Sequence, residues 1–231
     1  MSPLLPSQIE ASQVFGLEGE RQSRRSGNRT PQINLGRTGR CPEQPILFTT
    51  VVDNSGSVSG VAGNDPVGNR FAELRLAIES VAKRCRCGDE LVALLNFDSP
   101  TSVDVPPTAM KGGMSVIDQG LKIPADGAGS SVLGSSLGLA RRLVDHHPEH
   151  QGVLVVLSDF ELLDRDVPGV LKELCDFPGL VHAVVLRSAP PQQLVDDPRV
   201  DVTHVTHSDP PGALAKAIFA ALTATRPSSD R

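Results

Sequence analysis

Three oxygen-bearing side chains stand at alternate positions in Asp53-Asn54-Ser55-Gly56-Ser57. In an extended or gently curled segment that spacing turns Asp53, Ser55 and Ser57 to one side, and Asn54 and Gly56 let the backbone curl. Such a donor set suits a hard cation such as Mg2+, which takes oxygen ligands in an octahedron at about 2.0–2.1 Å and keeps several waters. One carboxylate is little charge for a tight site, so a second is expected from elsewhere in the chain. Asp159 is placed to supply it, because it ends the apolar run Gly152–Ser158. The loop Gly129-Ser130-Ser131-Val132-Leu133-Gly134 adds hydroxyls where a helix should begin.

Other clusters fit known chemistry less well. His146-His147-Pro148-Glu149-His150 spells an inverted zinc-protease motif. That motif needs a continuous helix, which Pro148 should break, so these read as surface histidines after a helix. Gly129 and Gly134 have the spacing of a phosphate-binding loop, but Ser135 stands where the Lys is needed. Cys85 and Cys87 have no second Cys or His pair nearby in sequence, and read as two reduced thiols at a helix end. Asp53 with Mg2+ could serve a hydrolase or phosphotransferase through an aspartyl-phosphate. The enzymes that work this way place a second acid two positions on, and Ser55 sits there. No G-x-S-x-G elbow is present.

The elements that must hold these residues follow from periodicity. Ile46–Asp53, Glu90–Phe97, Gly152–Ser158 and Leu180–Leu186 read as buried apolar strands. Thr101–Val105 reads as a short strand stopped by Pro106-Pro107, paired antiparallel with the strand before it because the connection is too short for a parallel neighbour. Val200–Val205 is a last short strand. Phe71–Arg84, Val132–Val144, Val167–Leu174 and Gly212–Thr223 carry helical apolar spacing, and Met114–Leu121 and Ala189–Val195 are shorter helix candidates. Strands alternating with helices predict an α/β fold: a doubly wound, mostly parallel central sheet with one antiparallel edge strand and helices on both faces, Rossmann-like in architecture. Ligands of such sheets sit outside the carboxyl ends of the strands, which is where Asp53 and Asp159 fall.

Taken together, these motifs resemble those of von Willebrand factor type A (vWA) domains. Asp53-Asn54-Ser55-Gly56-Ser57 is similar to the DxSxS signature that opens the family's metal-ion-dependent adhesion site (MIDAS). Gly129–Gly134 is similar to the family's Gly-Gly-Thr-x-x-Gly loop, with Ser131 in the Thr place. Ser158-Asp159-Phe160 is similar to the third motif, an Asp usually followed by Gly, with Phe160 in the Gly place. The resemblance covers about residues 46–225. It implies that Ser55 and Ser57 bind metal directly, that Ser131 does so in one state, and that Asp53 and Asp159 act mostly through water. It implies Mg2+, or Mn2+, as the ion, and no enzymatic activity. The implied function is a protein-binding adaptor or scaffold whose partner completes the metal with an exposed Asp or Glu. Intracellular members resemble parts of multi-protein machines, including those built around AAA+ ATPases. Ser131 keeps the hydroxyl of Thr but loses the methyl that fixes its rotamer.

Bulk properties agree with one domain. The chain has 231 residues and a net charge of −5, with no Trp, no Tyr and seven Phe. Stacking platforms for nucleic acid are scarce, and the folded part lacks a basic block. Residues 1–44 are polar and carry Arg21, Arg24, Arg25 and Arg29, so they read as a largely disordered or draped tail that alone could meet nucleic acid or an acidic partner. The domain is expected over 45–225, with 226–231 frayed. Four Cys are too few for a disulfide framework, and neither an apolar leader nor an 18-residue apolar run is present. The expected location is therefore a reducing cytoplasm, away from membranes.

Overall fold

The computed structural model describes residues 33–59, 63–65, 70–122 and 129–227. The Arg21–Arg29 cluster lies outside these residues. Six strands form one sheet in the order β3-β2-β1-β4-β5-β6. They are β1 (Ile46–Val52), β2 (Leu91–Asn96), β3 (Val105–Ala109), β4 (Gln151–Ser158), β5 (Leu180–Leu186) and β6 (Val200–Val205). All neighbouring pairs are parallel except β2 with β3, which is antiparallel. The mostly parallel, doubly wound sheet with one antiparallel edge strand is thus as the sequence periodicity predicts.

The helices are α1 (Gly56–Ser59), α2 (Arg70–Arg84), α3 (Met114–Gly120), α4 (Gly134–Asp145), α5 (Val167–Cys175), α6 (Gln192–Val195) and α7 (Ala213–Thr223). Strand side chains alternate between faces, and the core divides accordingly. Ile46, Phe48, Val153, Val155, Val184 and Leu186 join Leu74, Ile78, Ile117, Ile218 and Leu222, which places α2, α3 and α7 on one face. Val51, Leu154, Val156, Ala183 and Val185 join Leu133, Leu137, Leu171, Leu174 and Leu194, which places α4, α5 and α6 on the other. Every residue of β1 is buried, as expected of a central strand covered on both sides. Among the described residues no helix is long and apolar enough to cross a membrane.

Three expectations need correction. The edge strand is β3 at Val105–Ala109, beyond the expected Thr101–Val105, and it runs through Pro106 and Pro107. An edge strand tolerates proline, and the pairing shifts register there, between Leu94↔Val105 and Val92↔Thr108. The preceding residues form a turn around Asp104, whose carboxylate accepts from the Thr101 amide at 2.8 Å, the Thr101 hydroxyl at 2.7 Å and the Asn96 amide at 3.1 Å. That polar hub holds 101–104 away from the ladder.

The second correction concerns the C-terminal end. Arg226, expected to be frayed, is buried and ion-paired with Glu90, their side chains 1% and 3% exposed, and the Pro227 carbonyl accepts from the Arg40 amide at 3.1 Å. The third concerns the cysteines. Cys87 is bonded to Cys41, across 46 residues of sequence, while Cys85 stays reduced and buried. Residues 33–44 bring Cys41 to the end of α2: Leu35 packs on the core and the Gly36 carbonyl accepts from Arg84 Nη1 at 2.6 Å. Sequence spacing alone does not reveal so distant a pairing.

α7 is capped from another helix. Glu73 of α2 is buried, and its carboxylate accepts the Gly212 amide at 2.8 Å and the Ala215 amide at 2.9 Å. A negative group there satisfies amides that a helix start leaves open and favours its positive end. Gly212 has φ 93°, and a Cβ on it would meet the Ile33 side chain at 2.5 Å.

Candidate metal centre at the carboxyl ends of β1 and β4

β1 and β4 are adjacent at the centre of the sheet, and successive connections leave β1 toward β2 on one side and reach β4 on the other. This is the switch in strand order where an open α/β sheet leaves a crevice. The Asp53 amide continues the β1–β4 ladder by donating to the Leu157 carbonyl at 2.9 Å. Asp53 is therefore fixed beside Ser158 and Asp159. Its Oδ1 accepts the Ser55 amide at 2.8 Å, and its Oδ2 accepts the Ser158 hydroxyl at 2.6 Å. Burial raises the Asp53 pKa above the ordinary carboxylate range; the bonds from Ser158 and Ser55 oppose that rise and the nearby Asp159 adds to it.

The Ser55 and Ser57 hydroxyls face each other at 2.9 Å. Adjacent corners of an octahedron with ligands at 2.0–2.1 Å lie about 2.8–3.0 Å apart. Asp159 is buried, its Oδ1 accepting the Glu161 amide at 3.0 Å and its Oδ2 accepting from Asn64 Nδ2 at 2.9 Å. The two hydroxyls are hydrogen bonded to each other, and their separation, beside the buried Asp53 carboxylate, is one that adjacent ligands of a divalent ion could adopt. Both carboxylates already hold two hydrogen bonds each, which suits a role through water. Side-chain contacts join Asp53 with Ser55, Ser55 with Ser57, and Asp53 with the residue before Asp159.

Ser131 joins through its loop. Its carbonyl accepts the Leu163 amide at 2.7 Å, tying it to the segment that follows Asp159. Two carboxylates clamp the same loop. Asp98 accepts the Ser130 amide at 2.6 Å and the Ser130 hydroxyl at 2.7 Å, and Asp164 accepts the Leu133 and Gly134 amides, each at 2.9 Å. Asp164 thereby caps α4 from outside the helix, a role that Leu133 at the N-cap position has no side chain to perform.

Periodicity did not mark several supporting residues. Asn54 is buried and donates from Nδ2 to Asn96 Oδ1, and its own Oδ1 accepts from Arg70 Nη2 at 2.8 Å. Arg70, buried at the start of α2, also pairs with Asp65 at 3.2 Å. Ser136 reaches from α4 to the Asn96 carbonyl at 2.6 Å. The signal available in sequence was polar residues flanking a strand end, which ordinary turns share.

Phe160 has φ 57°, a left-handed conformation that glycine adopts freely and a bulky side chain does not. Its ring is 8% exposed and lies in the core on the α4 and α5 face. The ring is thus a packing element, and the exposed apolar side chain of this loop is Leu163, at 73%. Away from the site, His147 Nδ1 lies 2.7 Å from the Leu143 carbonyl and His150 Nε2 lies 2.8 Å from the Asp89 carbonyl. α4 ends at Asp145, so no helix aligns these rings for zinc. Among the described residues, the group of three or more His, Cys, Asp or Glu donors close enough to share a metal is Cys41, Cys85 and Cys87.

Residues 48–161 match the family model described as von Willebrand factor type A domain, a span that includes all three site motifs. The fold is that of this class. Proximal thread matrix protein 1 from the mussel byssus superposes with a TM-score of 0.55 at 16% identity, over 81% of this chain and 47% of that one. This chain therefore spans about half the length of that protein. A form of the same mussel protein described as having a zinc-occupied MIDAS motif gives 0.53 at 16% identity, over 79% and 47%. The SpRpn10 VWA domain gives 0.52 at 9% identity, over 75% of this chain and 94% of that one. No curated protein sequence matches this chain.

Proposed function

We propose that this chain is a protein-binding module whose contact with its partner depends on a divalent ion, Mg2+ or Mn2+. The observation that carries this reading is the 2.9 Å approach of the Ser55 and Ser57 hydroxyls beside the buried Asp53 carboxylate. Ser55 and Ser57 would hold the ion directly, Ser131 would hold it in one state, and Asp53 and Asp159 would hold it through water. An ion bound mainly by neutral hydroxyls keeps much of its charge and attracts a carboxylate from another molecule. Asn54, Arg70 and Ser158 keep the loop in shape. The partner presents an exposed Asp or Glu, and a multi-protein machine with an AAA+ ATPase is a setting that suits such an adaptor. The mussel protein described with zinc in its MIDAS motif lends support by fold and by the name of that motif.

Asp53 is fully buried with both oxygens hydrogen bonded, which suits holding charge rather than attacking phosphorus. The reading is tested by affinity capture of partners with wild-type protein and with Ser55→Ala/Ser57→Ala, in Mg2+ and in EDTA. Capture that needs both Mg2+ and the two hydroxyls is expected. Partners retained equally in EDTA would sink it.

A further inference from the structure

A second chemical site lies where α2 ends, distant from the hydroxyl cluster. Cys41 and Cys87 are disulfide-bonded, and the Cys85 sulfur lies 2.6 Å from that of Cys87 and 3.9 Å from that of Cys41. Cys41 is exposed, Cys87 half-buried and Cys85 buried. Cys41 and Cys85 line a hollow of about 370 Å³ together with Arg40, Arg84, Arg86 and Arg226. Arg226 Nη1 lies 3.4 Å from the Cys85 sulfur. A closed zinc site would need a fourth donor, while the rest of the hollow is lined by arginines, of which Arg226 is already paired with Glu90.

We propose that these three cysteines form a thiol–disulfide exchange site, with Cys85 as the internal nucleophile and Cys41 as the outward-facing sulfur. The Cys85 thiolate attacks the Cys87 sulfur. The Cys85–Cys87 bond forms as the Cys41–Cys87 bond breaks, and the electron pair leaves on the Cys41 sulfur. The proton given up by Cys85 is matched by one that Cys41 takes from water, so no oxidant or reductant is consumed. The product exposes a Cys41 thiol and frees residues 33–44 from their covalent tie. The released thiolate can attack a small disulfide, forming a mixed disulfide and expelling one thiolate. Arg40, Arg84 and Arg86 favour a disulfide of an anionic thiol.

The test uses the full chain with Cys175→Ser throughout, removing the other free thiol. Peptide mapping without reduction is expected to find both Cys41–Cys87 and Cys85–Cys87 bridges. Oxidised glutathione is expected to label Cys41, faster than the cationic cystamine does, and labelling is expected to be lost in Cys85→Ser and in Cys85→Ala. A single Cys41–Cys87 bridge with Cys41 never labelled would overturn the proposal, as would equal labelling without Cys85. One Zn2+ per chain in the isolated protein, lost in Cys85→Ser, would also overturn it in favour of a metal site.

Discussion

The Ser158 hydroxyl donates to Asp53 Oδ2 at 2.6 Å and accepts the Phe160 amide at 2.8 Å. One side chain thus links the carboxylate at the end of β1 to the backbone turn that carries Asp159. The two acidic corners of the site are held by this relay as well as by the ladder, so their spacing does not rest on a flexible loop alone.

A bound ion should stabilise the domain through this pair. At 100 times its Kd a ligand adds about 2.7 kcal/mol, a Tm rise on the order of 5–10 °C for a domain of this size. Thermal melts with Mg2+ and Mn2+ are expected to show that rise in wild type and none in Asp53→Ala. Equal shifts in both proteins would remove the ion from this site.

Phe160 sets packing against backbone strain. Removing its ring should cost about 3 kcal/mol through lost burial. Glycine relieves a left-handed conformation that costs alanine roughly 1 kcal/mol. Phe160→Gly is therefore expected to be the more stable of the two truncations in urea denaturation, reversing the usual order. Phe160→Ala matching or exceeding it would show that the strain is negligible.

Arg226 should be indispensable despite lying near the end of the chain. Breaking a buried ion pair by removing one partner costs about 3–5 kcal/mol, whereas replacing both partners with apolar groups is often neutral. Arg226→Ala is expected to fall in that range, and Glu90→Leu/Arg226→Met to recover most of the loss. A single variant as stable as wild type would return this segment to the frayed end that its sequence suggests.

His182 gives stability a pH dependence. Burial depresses its pKa below 6.5, with Asp201, 3.5 Å away, acting in the opposite sense, and its Nε2 lies 2.8 Å from the Thr203 hydroxyl. The unfolded chain then binds the proton more readily than the folded one. Stability should be full above pH 6.5 and decline as the pH falls from there toward the depressed folded value. Chemical denaturation at pH 7.5 and pH 5 is expected to show this decline in wild type and a smaller one in His182→Gln. An identical decline in both would assign it to other groups.

The layers of the fold were legible because β1 and β4 are mostly apolar, with Thr49 and Thr50 the polar residues within β1, and α2, α4 and α7 keep a helical apolar stripe. The edge strand was misplaced because Pro106-Pro107 reads as a stop, although an edge position leaves their missing amides harmless. Asp53, Ser55 and Ser57 could be grouped from spacing within one segment. The clamps on the Ser131 loop could not, since Asp98 and Asp164 act from about thirty residues away on either side. The Cys41–Cys87 bond and the Glu90–Arg226 pair were hidden for the same reason. Each depends on the path taken by a polar terminal segment, which carries no periodic signal.

α2 touches both chemical regions. Its first residue, Arg70, holds Asn54, and the residue after its last turn is Cys85. The helix has 15 residues, about 22 Å at 1.5 Å each. It acts as a gauge block between the two ends of the sheet. Inserting one residue would turn one end by about 100° against the other. Either Arg70 would lose Asn54 or Cys85 would lose its sulfur neighbours, so the length of α2 is constrained at both ends while the composition of its exposed face stays free to vary.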